Sequence, residues 1–250
     1  MSDIFAELDE LVDADQLEEM ERRALEAVSR ASGADRDDLW RYVAWARIEL
    51  GRPAQALEAA LEAEDALLEG KARFHAWDFE GARGPLARFR GEPADEAEAE
   101  WYRGLVEEFA GRDPAPHYRR AARLDPETFT VPPRLSDDEV GRVVQSALDT
   151  LPPAVKRAAS DAVVQVLPLP ARRPDLDPLT LGLYVGVSRL DLSHDTPAHL
   201  PGHIEIYKRN VERIAGNRQE AIEELRITLL HEIGHHLGFD EEGVAELGLA

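Results

Sequence analysis

His231-Glu232-Ile233-Gly234-His235-His236-Leu237-Gly238 carries the pattern H-E-x-x-H-x-x-G. On a helix, residues four apart share a face, so His231 and His235 can aim two ring nitrogens at one point. That arrangement suits Zn²⁺, with Glu232 about 100° further round the helix and placed to act as general base on a water molecule. The flanking residues predict such a helix. Ile222, Leu225, Leu229, Ile233 and Leu237 recur at three- and four-residue intervals, and no proline interrupts Ala221 to Leu237. Gly238 stands where a glycine commonly ends a helix. His236 lies off the face shared by His231 and His235, and is expected to pack or face solvent rather than bind metal.

A catalytic zinc usually takes three protein ligands and keeps one position open. In the metzincin spacing the third ligand follows the glycine by three residues, which here is Glu241. Its neighbours Asp240 and Glu242 are also acids, and Asp240 is the alternative ligand. The gluzincin arrangement places a glutamate on a later helix, where Glu246 is the last candidate. The same three acids also read as the first turn of a short final helix, favoured by its dipole. The only methionines are Met1 and Met20, so no Met-turn follows the motif.

Composition narrows the alternatives. A chain of 250 residues suggests one or two domains. A net charge of −21 argues against nucleic acid or an anionic membrane as partner. There is no cysteine, so zinc would have to be held by histidine and carboxylate. The first residues are acidic and lack an apolar signal core, and no apolar run is long enough to span a bilayer; a cytoplasmic location is the expectation.

The two halves differ in texture. Residues 13–125 are rich in Ala, Leu, Glu and Arg, and read as a series of helices within a helical domain expected over residues 1–125. Turn signals fall at Ser32-Gly33, Gly51-Arg52-Pro53, Gly84-Pro85, Gly91-Glu92-Pro93 and Gly111-Arg112-Asp113-Pro114. Trp40, Gly51, Ala56 and Ala63 resemble the tetratricopeptide pattern, in which an aromatic residue, a turn glycine and small residues define a helix pair. A worn copy runs from Trp101 through Gly111, Tyr118 and Ala121 to Pro126, and Phe74-His75-Ala76-Trp77 lies in a further pair that fits the consensus poorly. The concave face of such an array implies a peptide or protein partner. A plain helical bundle with these residues as core is the competing reading.

Residues 126–135 break the helical pattern and form the expected linker. Ser136 and Glu139 then make a capping box for a helix carrying Val140, Val143, Val144, Ala147, Leu148 and Leu151, which should stop at Pro152-Pro153. Ala162–Leu167, Leu181–Val187 and His203–Tyr207 read as strands, the last as half-exposed and at a sheet edge. Helix, strand, strand, strand, metal helix predicts a small α+β domain over residues 136–250, with two helices on one face of a mixed sheet. The whole chain is thus α+β, with an all-α first half.

Three blocks of this second half, Leu181–Gly186, Ile204–Tyr207 and Thr228–Gly238, resemble the small bacterial zincin-like metallopeptidases, or minimal zincins. The resemblance implies a compact zincin core, Zn²⁺ as cofactor, His231 and His235 as ligands, and Glu232 as catalytic base. It also implies an acid three residues after the glycine; that family commonly has Asp, whereas this chain has Glu241. The expectation is a zinc-dependent peptidase acting on a peptide or protein, with the helical half recruiting substrate or a protein partner. The alternative is a non-catalytic adaptor with a metal-stabilised zincin-like domain. Tyr184 and Tyr207 are minor candidates for stabilising an oxyanion, with packing the more ordinary role for each.

Overall fold

A computed structural model describes residues 2–159, 162–173, 175–186 and 202–239. The chain divides into two compact units, residues 1–130 and 131–250.

The first unit is built from α1 (Ser2–Asp13), α2 (Leu17–Val28), α3 (Ala34–Glu49), α4 (Pro53–Glu62), α5 (Ala66–His75), α6 (Phe79–Arg88), α7 (Pro93–Phe109) and α8 (Ala115–Leu124). Consecutive helices pack on one another, and α3 also touches α5, which in turn touches α7. Small residues permit close approach in the core: Ala24, Ala44, Ala46, Ala59 and Ala60 are buried beside Leu8, Met20, Leu39 and Val43.

One turn recurs through this unit. Asp15, Gly51, Glu64, Trp77 and Gly111 have φ of 56°, 68°, 50°, 61° and 70°. In each case the next residue's N–H donates to the carbonyl five residues back: Gln16 to Leu11, Arg52 to Arg47, Asp65 to Ala60, Asp78 to Arg73 and Arg112 to Glu107, at 2.7–3.1 Å. This is the Schellman closure of a helix end. Only Gly51 and Gly111 are marked in the sequence; Asp15, Glu64 and Trp77 hold the left-handed conformation at a cost of roughly 1–2 kcal/mol each. Gly84-Pro85, expected as a turn, instead lies inside α6, where burial of Ala82, Pro85 and Leu86 outweighs the helix-breaking tendency of proline.

In the second unit α9 (Asp137–Thr150) opens on the expected capping box, with Ser136 and Glu139 bonded reciprocally. Next come α10 (Pro153–Ala158), β1 (Val163–Leu167), β2 (Gly182–Val185), β3 (His203–Tyr207), α11 (Lys208–Ile214) and α12 (Arg218–Leu237). The sheet order is β1-β3-β2, with β3 parallel to β1 and antiparallel to β2. β3 is therefore the central strand, which corrects its assignment to an edge. Its alternation of polar and apolar residues marks the sheet's two faces: Ile204 and Ile206 are fully buried, while His203 and Glu205 are partly exposed. Helices α10 and α11 were not expected. α11 follows β3 with no intervening glycine or proline, and Tyr207 serves as both last strand residue and helix cap without a side-chain capping bond.

Helix α12 packs on β2 and β3, while α9 packs on α12. Leu225, Leu229 and Ile233 are buried in the shared core with Ile204, Ile206, Val140 and Ala147. Since Leu229 is fully buried two residues before His231, Leu229→Ala should cost about 2–5 kcal/mol of stability, measurable by urea denaturation. A loss below ~1 kcal/mol would mean that α12 is not anchored through this core.

Candidate metal centre and catalytic carboxylate

Helix α12 starts at an Asn217 cap, whose side chain accepts from the N–H groups of Gln219 and Glu220, and runs unbroken through both histidines. The expected one-turn spacing is realised. His231 and His235 are half-buried, with their rings 4.6 Å apart at 83° and their Nε2 atoms 2.9 Å apart. Two Zn–N bonds of about 2.0–2.1 Å at a tetrahedral angle would set those nitrogens about 3.3 Å apart. Only a few tenths of an ångström of opening separates the two geometries.

The helix end fixes one of these rings. Gly238 has φ of 97°, and Phe239 N–H donates to Gly234 O at 3.1 Å, the same Schellman closure that recurs in the helical unit. This turn brings the Phe239 carbonyl to 3.1 Å from His235 Nδ1. A carbonyl can only accept, so Nδ1 carries the hydrogen and, in the neutral ring, Nε2 keeps its lone pair for a ligand. The two ring nitrogens therefore fit zinc in chemistry once His231 Nε2 gives up the hydrogen it shares with His235 Nε2. Gly238→Ala puts a side chain into the left-handed region at a cost of roughly 1–2 kcal/mol and should loosen the turn that presents that carbonyl. Zinc affinity should weaken by about 10- to 100-fold, as read by competition with a chromophoric chelator. Unchanged affinity would show that the Phe239 carbonyl does not orient the ligand.

Glu232 is buried beneath β2. A Cβ placed on Gly182 would lie 2.8 Å from Glu232 Oε1, 2.9 Å from its Cγ and 3.0 Å from Thr228 Cγ2. Gly182 thus lets the strand pass directly over the carboxylate. Among the described residues β2 is an edge strand, and its Gly182 lies directly against the candidate catalytic group. The glycine within a strand-like run was the available signal, since such a residue often marks close approach.

His236 is buried and packs edge-on against Tyr184, with ring centroids 5.3 Å apart. A Cβ on Gly202 would come within 2.8 Å of both His236 Nδ1 and Tyr184 Cε2. His236 therefore braces the sheet. Tyr207 is fully buried and donates its hydroxyl to Glu205 Oε2 at 2.6 Å, while Arg173 holds both Glu205 oxygens at 2.8 Å. Burial and the Glu205 carboxylate push the Tyr207 phenol well above its ordinary range. Its hydroxyl is engaged with Glu205, and packing is the role its position supports.

Asp240, Glu241, Glu242 and Glu246 lie outside the described residues. Among the described residues, no three His, Asp or Glu side chains gather as a metal-holding group. No helix among them is long and apolar enough to cross a membrane.

Residues 159–249 match the family model described as Zincin-like metallopeptidase. The match contains all three strands, α11 and α12; the helical unit lies outside it. No curated protein matches the chain.

Proposed function

We propose that the chain is a zinc-dependent peptidase in which residues 136–250 hydrolyse a peptide bond. The helical residues 1–125, joined through residues 126–135, would recruit the protein substrate or a protein partner as a tetratricopeptide-like array. The observation that carries this reading is the convergence of His231 and His235 Nε2 beside the buried Glu232. His231 and His235 would hold the zinc, with Glu241 as third ligand and Asp240 as the alternative. When bound there, zinc would polarise the scissile carbonyl and make water acidic enough to attack near neutral pH. Glu232 would accept a proton from the attacking water on its carboxylate and return it to the departing amine. Gly182 keeps space for that carboxylate, and the outer backbone of β2 could align an extended substrate by adding a strand.

A peptide-library digest tests the assignment, with the zinc-loaded full chain run against chelator-treated protein. Cleavage by the loaded protein alone supports the peptidase. If no peptide is cut and chelation lowers the unfolding temperature, zinc has a structural role and the chain is an adaptor.

A further inference from the structure

A groove in the helical unit has a chemistry of its own. Asp9 and Val12 of α1, Arg41, Tyr42 and Trp45 of α3, and Leu68 of α5 line a cleft of about 310 Å³. Val12, Tyr42, Trp45 and Leu68 are only partly buried, so an apolar and aromatic strip faces the opening. Tyr42 is held in place by donating its hydroxyl to Asp9 and by packing against Phe5.

The charge around this strip is one-sided. Helix α1 contains Asp3, Glu7, Asp9, Glu10 and Asp13 and no basic residue. Asp9, Glu10 and Asp13 are exposed, whereas Glu7 pairs with Arg23. Among the described residues Arg41 is the one cation lining the cleft, and it is engaged by Asp38 and by Asp65, the latter at 3.0 Å. The groove therefore offers an apolar floor with Asp9 in its lining and the exposed Glu10 and Asp13 on the same helix, on a chain with a net charge of −21.

We propose that this groove binds a peptide segment in which a large apolar side chain is flanked by Arg or Lys. The apolar side chain would enter between Val12, Trp45 and Leu68, where burial supplies affinity and an aromatic anchor is typical of an energetic centre. The flanking cations would face Asp9, Glu10 and Asp13, giving selectivity and a salt-dependent association. This deepens the recruiting role proposed above for the helical unit, and it requires neither zinc nor hydrolysis.

The test uses the full chain as Glu232→Gln with EDTA present, so that binding is read apart from cleavage. Fluorescence anisotropy follows a labelled Gly/Ser peptide carrying a central Leu with Arg on both sides. Binding should weaken by about tenfold when the peptide Leu becomes Ser, and again by about tenfold in Trp45→Ala. Replacing the peptide Arg residues with Glu should abolish binding. The triple variant Asp9→Asn, Glu10→Gln, Asp13→Asn should bind more weakly and with a flatter salt dependence. Circular dichroism checks each variant's fold; if Trp45→Ala unfolds, the exposed triple variant decides alone. Equal affinity for the Glu-flanked peptide, no binding, or affinity unchanged in the triple variant would overturn the assignment. So would a concentration-dependent dimer lost in Trp45→Ala, which would give the groove to a second copy of the chain. If zinc-dependent hydrolysis fails but this binding holds, the adaptor reading stands; if binding fails, hydrolysis of short peptides should continue.

Discussion

Glu232→Gln should reduce peptide hydrolysis by about 10²- to 10⁴-fold, the usual contribution of a positioned general base, while leaving zinc bound. Glutamine has nearly the same shape and can occupy the space under Gly182, but its amide cannot take up the water's proton. Since Glu232 is buried against Gly182 of β2 and the proposed ligands are left in place, metal content should hold near the wild-type level. The readouts are kcat for a fluorogenic peptide and zinc per chain on the same preparation. Equal rates in the two proteins would remove Glu232 from the reaction; zinc loss in the variant would make it a structural support of the site.

His231→Ala should eliminate both zinc binding at stoichiometric concentration and zinc-dependent hydrolysis. His231 is half-buried on α12, and its Nε2 lies 2.9 Å from that of His235, the other proposed ligand. The His235 ring, already oriented by Phe239, would be left with one fewer nitrogen beside it. The helix should survive, because its anchors Leu225, Leu229 and Ile233 are untouched. Chelator competition and circular dichroism measured together separate the two effects. Retained stoichiometric zinc in a folded His231→Ala protein would locate the metal elsewhere.

These expectations show what a sequence can and cannot carry for this fold. The α12 motif was legible because helix periodicity fixes which residues share a face, and Gly238 gave the stopping point. The capping box at Ser136 and the span of β3 were legible for similar local reasons. Strand order was not, since pairing depends on contacts distant in sequence: His203–Tyr207 looks like an edge strand yet is bonded on both sides. The turns after α1, α4 and α5 were hidden because Asp15, Glu64 and Trp77 adopt a geometry usually marked by glycine. On α12, the meeting of the His231 and His235 rings could be anticipated from their four-residue spacing. The carbonyl of Phe239 could not, because a backbone partner leaves no residue-type signature; only Gly238 hinted at the turn that presents it.

The most direct measurement is a zinc titration of the chelator-stripped 250-residue chain, following cleavage of a peptide identified in the library digest. No cleavage is expected without metal, then a linear rise on adding zinc and a plateau at about one equivalent per chain, as for a single catalytic site. Cleavage that persists after stripping, or a fully zinc-loaded protein that cuts nothing, would contradict the zinc-peptidase assignment.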